Sequence, residues 1–393
     1  MTFIHGVTAD LVLDGARAVQ LSNFATIGLV GTAPDAPAAD FPLDTPVVVR
    51  GPQGASALGA NGSLPDALDG IFDQGAGTVV IVRVDDGADE AATLAKVAGD
   101  SAQQTGVHAL LTSQAVLGVT PKILVATGWT HQRPGDAANP VAAELKAVAD
   151  RLRAVFYVDG PNTDDAAAIA VADETGDPRG RVIDPFVLVS DGTGGTATQP
   201  ASARLAGRRA ALDGERGFWH SVSNQPLNGV IGLGRPIVFE TRAGSQTNTL
   251  NENNITTLIR RDGFRVWGNS GTGAEPLTRY QSVLRTQDVV MEALETQFAW
   301  ASDRPLSSQL VLDIADGVNA AIRELVALGA LLGGRCWPDE ELNTKESLRD
   351  GQLYLNVEIE PPAPLRHLAF KVRRNADYYA ELVGDVISLI DQA

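Results

Sequence analysis

The sequence predicts an α/β unit followed by an α+β unit, and three observations carry that prediction. Between residues 78 and 189, short, continuously apolar runs alternate with helical patterns. A polar, Gly-rich stretch at residues 190–199 (SDGTGGTATQ) then breaks the alternation. Beyond it lie two long amphipathic patterns and, near the end, segments in which apolar and polar residues strictly alternate. The chain has 393 residues, more than the roughly 250–300 at which a single core stops growing, so two globular units with extensions are expected.

The elements follow in order. Residues 78–84 (TVVIVRV) form a β-branched apolar run that stops at Asp85-Asp86-Gly87. Residues 88–104 have helical spacing, and residues 122–127 (KILVAT) form a second short strand closed by Gly128. Pro140 opens a helix that runs to Arg153, with Leu145, Val148 and Leu152 on one stripe. Residues 154–158 (AVFYV) make a third strand. Residues 163–174 make a helix with Thr163 as its N-cap, and residues 182–189 a further strand. Strands that are apolar throughout, lying between helices, imply a sheet covered on both faces.

After the Gly-rich break, helices are predicted over residues 201–212, 254–261, 279–301 and 311–328. In the last of these Ile314, Val318, Ile322 and Leu325 share one face. Residues 353–360 (LYLNVEIE) and 368–373 alternate with period two, and the Pro361–Pro364 loop between them predicts a hairpin. The two ends, residues 2–13 and 378–390, are apolar-rich and too short to bury their own side chains.

Charge and composition narrow the function. The formal net charge is −17, with −13 carried by residues 1–200 and −4 by residues 201–393. The first half therefore repels nucleic acid and anionic lipid. The basic groups cluster later, at Arg208-Arg209, Arg260-Arg261 and Arg373-Arg374. These clusters either meet acidic partners or are simply solvated. Cys336 is the single cysteine, which excludes a disulfide framework and a Cys-based zinc site, and it reads as a packing residue. The first fifteen residues contain His5, Asp10 and Asp14, unlike a signal peptide, and no apolar run reaches the ~18 residues of a membrane span. Synthesis and folding in a cytoplasm, without insertion into a bilayer, are expected.

Enzymatic motifs are missing. No P-loop occurs, and Gly192-Thr193-Gly194-Gly195 lacks the later glycine of a dinucleotide fingerprint. Ser56, in Gly54-Ala55-Ser56-Ala57-Leu58, lacks the last glycine of a nucleophile elbow and reads as a surface serine. His5, His108, His131, His220 and His367 show no ligand spacing and read as surface or interface residues. Asp85-Asp86 and Asp164-Asp165 read as a strand end and a helix start.

Several stretches, in order, resemble the tail sheath proteins of temperate contractile-tailed phages and R-type pyocins. The chain opens with Phe3-Ile4-His5-Gly6-Val7-Thr8, and Asp159-Gly160-Pro161-Asn162 follows the third strand. Pro200-Ala201-Ser202-Ala203 leads to Gly217-Phe218-Trp219. Leu250-Asn251-Glu252-Asn253-Asn254-Ile255 leads through Ile259-Arg260-Arg261-Asp262-Gly263-Phe264-Arg265 to Trp267-Gly268-Asn269. Arg285-Thr286-Gln287-Asp288 opens the long helix that ends near Trp300.

The resemblance implies a sheath domain built from both chain ends, with an inserted α/β outer domain and extended terminal arms. The corresponding limits are an N-terminal arm at 1–25, the outer domain at 26–199, a tube-facing domain at 200–375 and a C-terminal arm at 376–393. It implies that the arms add strands to neighbouring copies through Ile4, Val7, Leu11 and Leu13 at one end and Leu382, Val386 and Leu389 at the other. Among the basic residues of the tube-facing domain, Arg260, Arg261, Arg265 and Arg323 are the candidates to touch the tube, the alternative being bonds within or between sheath subunits. The expected partners are further copies stacked helically in hexameric rings, a tail tube protein, and baseplate and tail terminator proteins, with no nucleic acid. No catalytic residue, cofactor or metal is implied. The expected location is the tail of a virion or tailocin assembled in the bacterial cytoplasm. The alternatives are another tail or baseplate structural protein and an α/β enzyme.

Overall fold

A computed structural model describes residues 24–392. The chain runs through β1 (Ile27–Thr32), β2 (Pro46–Arg50), the short α1 (Gly51–Ala55), α2 (Ser63–Phe72), β3 (Thr78–Val84) and α3 (Glu90–Ala98). It continues with α4 (Ser113–Leu117), β4 (Ile123–Val125), α5 (Pro140–Leu152), β5 (Val155–Asp159), α6 (Asp165–Thr175) and β6 (Gly180–Ile183). Their strands form one sheet in the order β2-β3-β1-β4-β5-β6, parallel except for β2, which pairs antiparallel with β3.

Two-residue alternation along these apolar strands feeds two separate cores. Ile27, Leu29, Val79, Ile81, Ile123, Val125, Val155 and Tyr157 face one side, against Leu64, Leu68 and Ile71 of α2. Val30, Val80, Val82, Leu124, Phe156 and Val158 face the other, against Leu94 of α3, Leu145 and Val148 of α5 and Val171 of α6. The sheet is thus covered on both faces, as the unbroken apolar runs require. β1, whose glycines dilute its apolar signal, is a central strand that the sequence pattern did not single out.

The next elements are β7 (Val187–Ser190), β8 (Thr196–Gln199), α7 (Ser202–Arg216), β9 (Gly232–Leu233), α8 (Gln246–Glu252), β10 (Thr257–Arg260) and β11 (Phe264–Trp267). The Gly-rich stretch is the tip of the β7–β8 hairpin, where Asp191 Oδ1 accepts from the amides of Thr193 and Gly195. The chain then returns to the sheet, since Leu205 and Leu212 of α7 lie in the first core. Residues 254–261, expected to be helical, instead give β10: Asn254 adopts φ 61°, which ends α8, and Thr257–Arg260 pairs with β11.

α9 (Gln281–Gln297), α10 (Ser308–Ala327), β12 (Gly333–Pro338), α11 (Lys345–Arg349) and β13 (Leu355–Glu360) complete this body. A third core joins Val289 and Val290 of α9 to Ile314, Val318, Ile322 and Leu325 of α10 and Cys336 of β12. Phe24, the first described residue, lies in the same core, beside residues of α9 and α10. The expected 353–373 hairpin does not form: β13 pairs antiparallel with β12, and residues 361–377 have no helix or strand. Residues 364–393 cluster as a unit of their own, containing α12 (Tyr378–Asp391).

The Asp159-Gly160-Pro161-Asn162 turn shows why such residues stand there. Asp159 is fully buried at the end of β5, accepting from the Ser202 amide at 2.8 Å and the Ser202 hydroxyl at 2.7 Å, and so fixes the start of α7. Asn162 adopts φ 57° and its Oδ1 accepts from the Phe186 amide at 3.1 Å. Burial raises the Asp159 pKa despite these bonds. A carboxyl whose folded pKa is raised binds its proton more tightly when folded. Wild-type stability, measured by urea unfolding relative to Asp159→Asn, is therefore expected to rise as pH falls toward the ordinary 3.8. A gap that stays constant or shrinks over that window would contradict the assignment.

Candidate interaction surfaces

The arm residues divide by end. Ile4, Val7, Leu11 and Leu13 lie outside the described residues. Leu382, Val386 and Leu389 lie on α12, 59%, 49% and 68% exposed, at helical and not strand spacing. Val383, Ile387 and Ile390 are exposed beside them, so α12 carries a broad apolar face that is exposed among the described residues. The period-two pattern lies earlier, where Leu368, Phe370 and Val372 are exposed, the last at 91%.

The two-stranded β12–β13 sheet has no described strand on either outer edge. One face is anchored, because Leu353, Leu355 and Ile359 pack on the third core. The Asn319 side chain of α10 also grips Cys336, donating to its carbonyl at 3.1 Å and accepting from its amide at 2.9 Å. Unpaired main-chain donors and acceptors along such edges are a template for another strand. The Arg335–Glu358 pair spanning the two strands is exposed and contributes little to stability.

Arg260, Arg261 and Arg265 share the β10–β11 hairpin, whose tip takes positive φ at Asp262 and Gly263. Arg265 is committed to holding this turn, donating to the carbonyls of Arg261 and Asn224 at 2.9 Å each. Arg260 and Arg261 are exposed at its tip. Arg323 is exposed on α10, a different element.

Three expectations about polar residues need correction. His108 is buried, not on the surface, and its Nε2 meets Glu144 at 2.9 Å. Arg208 and Arg209 are neither solvated nor facing a partner: both are buried and pair internally with Glu215 and Asp213. The N-cap of α6 is Asp164, not Thr163. Sequence reading also missed a row of acids on α9. Asp288, Glu292 and Glu295, at helical spacing on one face, pair with Arg179, Lys122 and Arg153 of the α/β unit. Among the described residues no group of three or more His, Cys, Asp or Glu is placed to hold a metal, and no helix is long and apolar enough to cross a membrane.

Comparison with known proteins gives one answer along the whole chain. Residues 25–84 match the tail sheath protein Gp18 domain III N-terminal region, residues 102–272 the phage tail sheath protein central domain, and residues 274–375 the phage tail sheath C-terminal domain. The chain is 36% identical over 397 residues to the tail sheath protein of Escherichia phage P2, covering 98% of each. It is 34% identical to a putative prophage major tail sheath protein of Pseudomonas aeruginosa, covering 98% of this chain and 99% of that one. Its fold is similar to the contracted helical sheath of the anti-feeding prophage, with a TM-score of 0.72 at 20% identity over 95% of this chain and 100% of the other. The contracted sheath of an extracellular contractile injection system, PVC, is similar with a TM-score of 0.66 at 17% identity, over 96% and 100%.

Proposed function

This chain belongs to the phage tail sheath family, and from that premise we propose that it is the repeating subunit of a contractile sheath. Copies stack as hexameric rings around a tail tube, and the cylinder shortens to drive the tube through a target envelope. The role is structural, not enzymatic. The single observation that carries the reading is a mismatch within one polypeptide. Among the described residues the β12–β13 sheet leaves both edges open, while residues 368–373 hold a strand pattern with no partner. Strand addition between copies satisfies both, with main-chain hydrogen bonds supplying affinity and alternate side chains supplying register.

In this reading residues 364–374 add a strand to a neighbour, and the apolar face of α12 docks beside it. The N-terminal arm, residues 1–25, with Ile4, Val7, Leu11 and Leu13, supplies the second edge. Residues 26–199 face solvent and residues 200–375 face the tube, with α7 as their shared layer. The burial of Phe24 beside α9 and α10 supports a tube-facing body drawn from both chain ends. Repeating one heterologous contact without closure along the axis gives a filament. The extended lattice is metastable, a baseplate signal releases it, and the contracted lattice gains inter-subunit contact. That difference supplies the work without a nucleotide. Tube, baseplate and tail terminator proteins are the partners, and the particle's tail, assembled in the bacterial cytoplasm, is the location.

Arg260 and Arg261 are the best placed groups for an acidic tube surface, with Arg265 setting their turn and Arg323 a separate contact. Negative-stain microscopy of the purified chain is expected to show hollow cylinders. With tube protein present, the Arg260→Glu/Arg261→Glu variant is expected to form cylinders that lack a tube. A monomer at every concentration sinks the sheath reading, and tubes retained inside the double variant sink the assignment of these two arginines alone.

A further inference from the structure

Three arginines occupy a place in the first core where apolar side chains are the rule. Arg181 on β6 stands beside Tyr157 on β5 in the register of that parallel pair, so both side chains leave the same face of the sheet. Arg209 reaches in from α7 and Arg285 from α9, and all three arginines are 1% exposed. Among the described residues one carboxylate serves two of the three. Asp213 Oδ1 accepts from Arg209 Nη2 and Oδ2 from Arg285 Nη2, each at 2.5 Å. Two carbonyls help, that of His220 for Arg209 at 2.5 Å and that of Phe24 for Arg285 at 2.8 Å. The Tyr157 hydroxyl donates to Gln281 at 3.1 Å.

Five further donors of these side chains are buried and unmatched among the described residues. Among the described residues, Nε and Nη1 of Arg181, Nε of Arg209, and Nε and Nη1 of Arg285 are buried without a hydrogen-bond partner. Buried guanidinium groups are ordinarily paired, and leaving one unpaired is strongly unfavourable. Arg181 is the extreme case. Burial pulls its pKa down to about 10; the Tyr157 phenol opposes this, while Arg209 and Arg285 push it further down. At neutral pH it still carries its charge. Water could accept some of these hydrogen bonds but brings no countercharge. A planar fork of N–H donors is well suited to a small anion, and the enclosure of all three side chains favours a single atom over a larger group.

We propose that the core binds one monovalent anion of halide size between Arg181, Arg209 and Arg285, supplying the acceptor and the negative charge that Asp213 alone does not. The anion is a structural ligand of the monomer, and the idea stands apart from the sheath reading. It also explains how three cations, one from the sheet and two from the helices packed on it, are buried together.

Bromide is the probe. Crystals of the full chain grown in bromide are expected to show an anomalous peak within hydrogen-bond reach of Arg181. The thermal midpoint of the full chain is expected to rise with chloride or bromide, at constant ionic strength set by gluconate, by an equal step for each tenfold increase once the site fills. Arg181→Met, which replaces the unpaired guanidinium with an apolar side chain of similar length, is expected to abolish both the peak and the halide dependence. Waters alone at the position, a carboxylate of Asp10 or Asp14 seated on Arg181, or equal midpoints in chloride and gluconate would each overturn the proposal. So would a peak without halide-dependent stability, which would mark an adventitious ion only.

Discussion

A chain ended at residue 363 is expected to fold and yet to stay monomeric where the full chain forms cylinders. All three apolar cores lie within residues 24–359, and residues 364–393 cluster as a separate unit, so the truncation leaves every residue of those cores in place. What it removes is an uncovered set: Leu365, Leu368, Phe370 and Val372, then Leu382, Val386 and Leu389 on α12. Fully burying one such side chain is worth about 1.5–3 kcal/mol. Ordering the segment offsets much of that gain. A net loss of about 3 kcal/mol per contact still raises the critical concentration at least ~100-fold, at about 1.4 kcal/mol per tenfold. Sedimentation and negative-stain microscopy read the assembly, and urea unfolding reads the fold. Cylinders of ordinary length from the truncated chain would remove the basis for strand exchange.

Asp288→Ala is expected to lower unfolding stability by about 3–5 kcal/mol, the range for breaking one half of a buried ion pair. Asp288 is fully buried and takes both guanidinium arms of Arg179, at 2.6 and 2.9 Å. Without it, Arg179 keeps the largely exposed Asp150 at 3.3 Å as an ion-pair partner among the described residues. Burial lowers the Arg179 pKa, but the bonds and charge of Asp288 outweigh that and hold it above the ordinary value. Two turns along the same helix, Glu295 pairs with Arg153 in the open, and Glu295→Ala is expected to cost no more than about 1 kcal/mol. Replacing both buried partners, as Arg179→Met with Asp288→Leu, is expected to recover most of the loss. Similar mild effects at positions 288 and 295 would mean that α9 is not held by this pair.

The α/β half was legible because its strands are apolar throughout and its helices start with recognisable caps. β3, β4, β5, α5 and α6 stand where period and punctuation put them. Failures came where local pattern and long-range pairing disagree. Ile255, Leu258 and Ile259 suit a helix or a strand equally, and the positive φ of Asn254 decides between them. The alternation at residues 353–360 is real, but its partner is Gly333–Pro338, whose two glycines and terminal proline carry almost no strand signal. The surface was less legible still. Arg208 and Arg209 looked solvated because charge usually is, although Asp213 stands four residues from Arg209. The acids of α9 had helical spacing, but their basic partners lie more than a hundred residues away in sequence.

The β12–β13 edges, unpaired among the described residues, also bear on how large the finished object is. Where each copy completes its neighbour, the copies at the two extremities always retain an uncompleted side. Growth by such a rule has no built-in stopping point. The number of subunits must then be imposed by something other than the subunit, by a template that runs out or by a cap that occupies the last free margin.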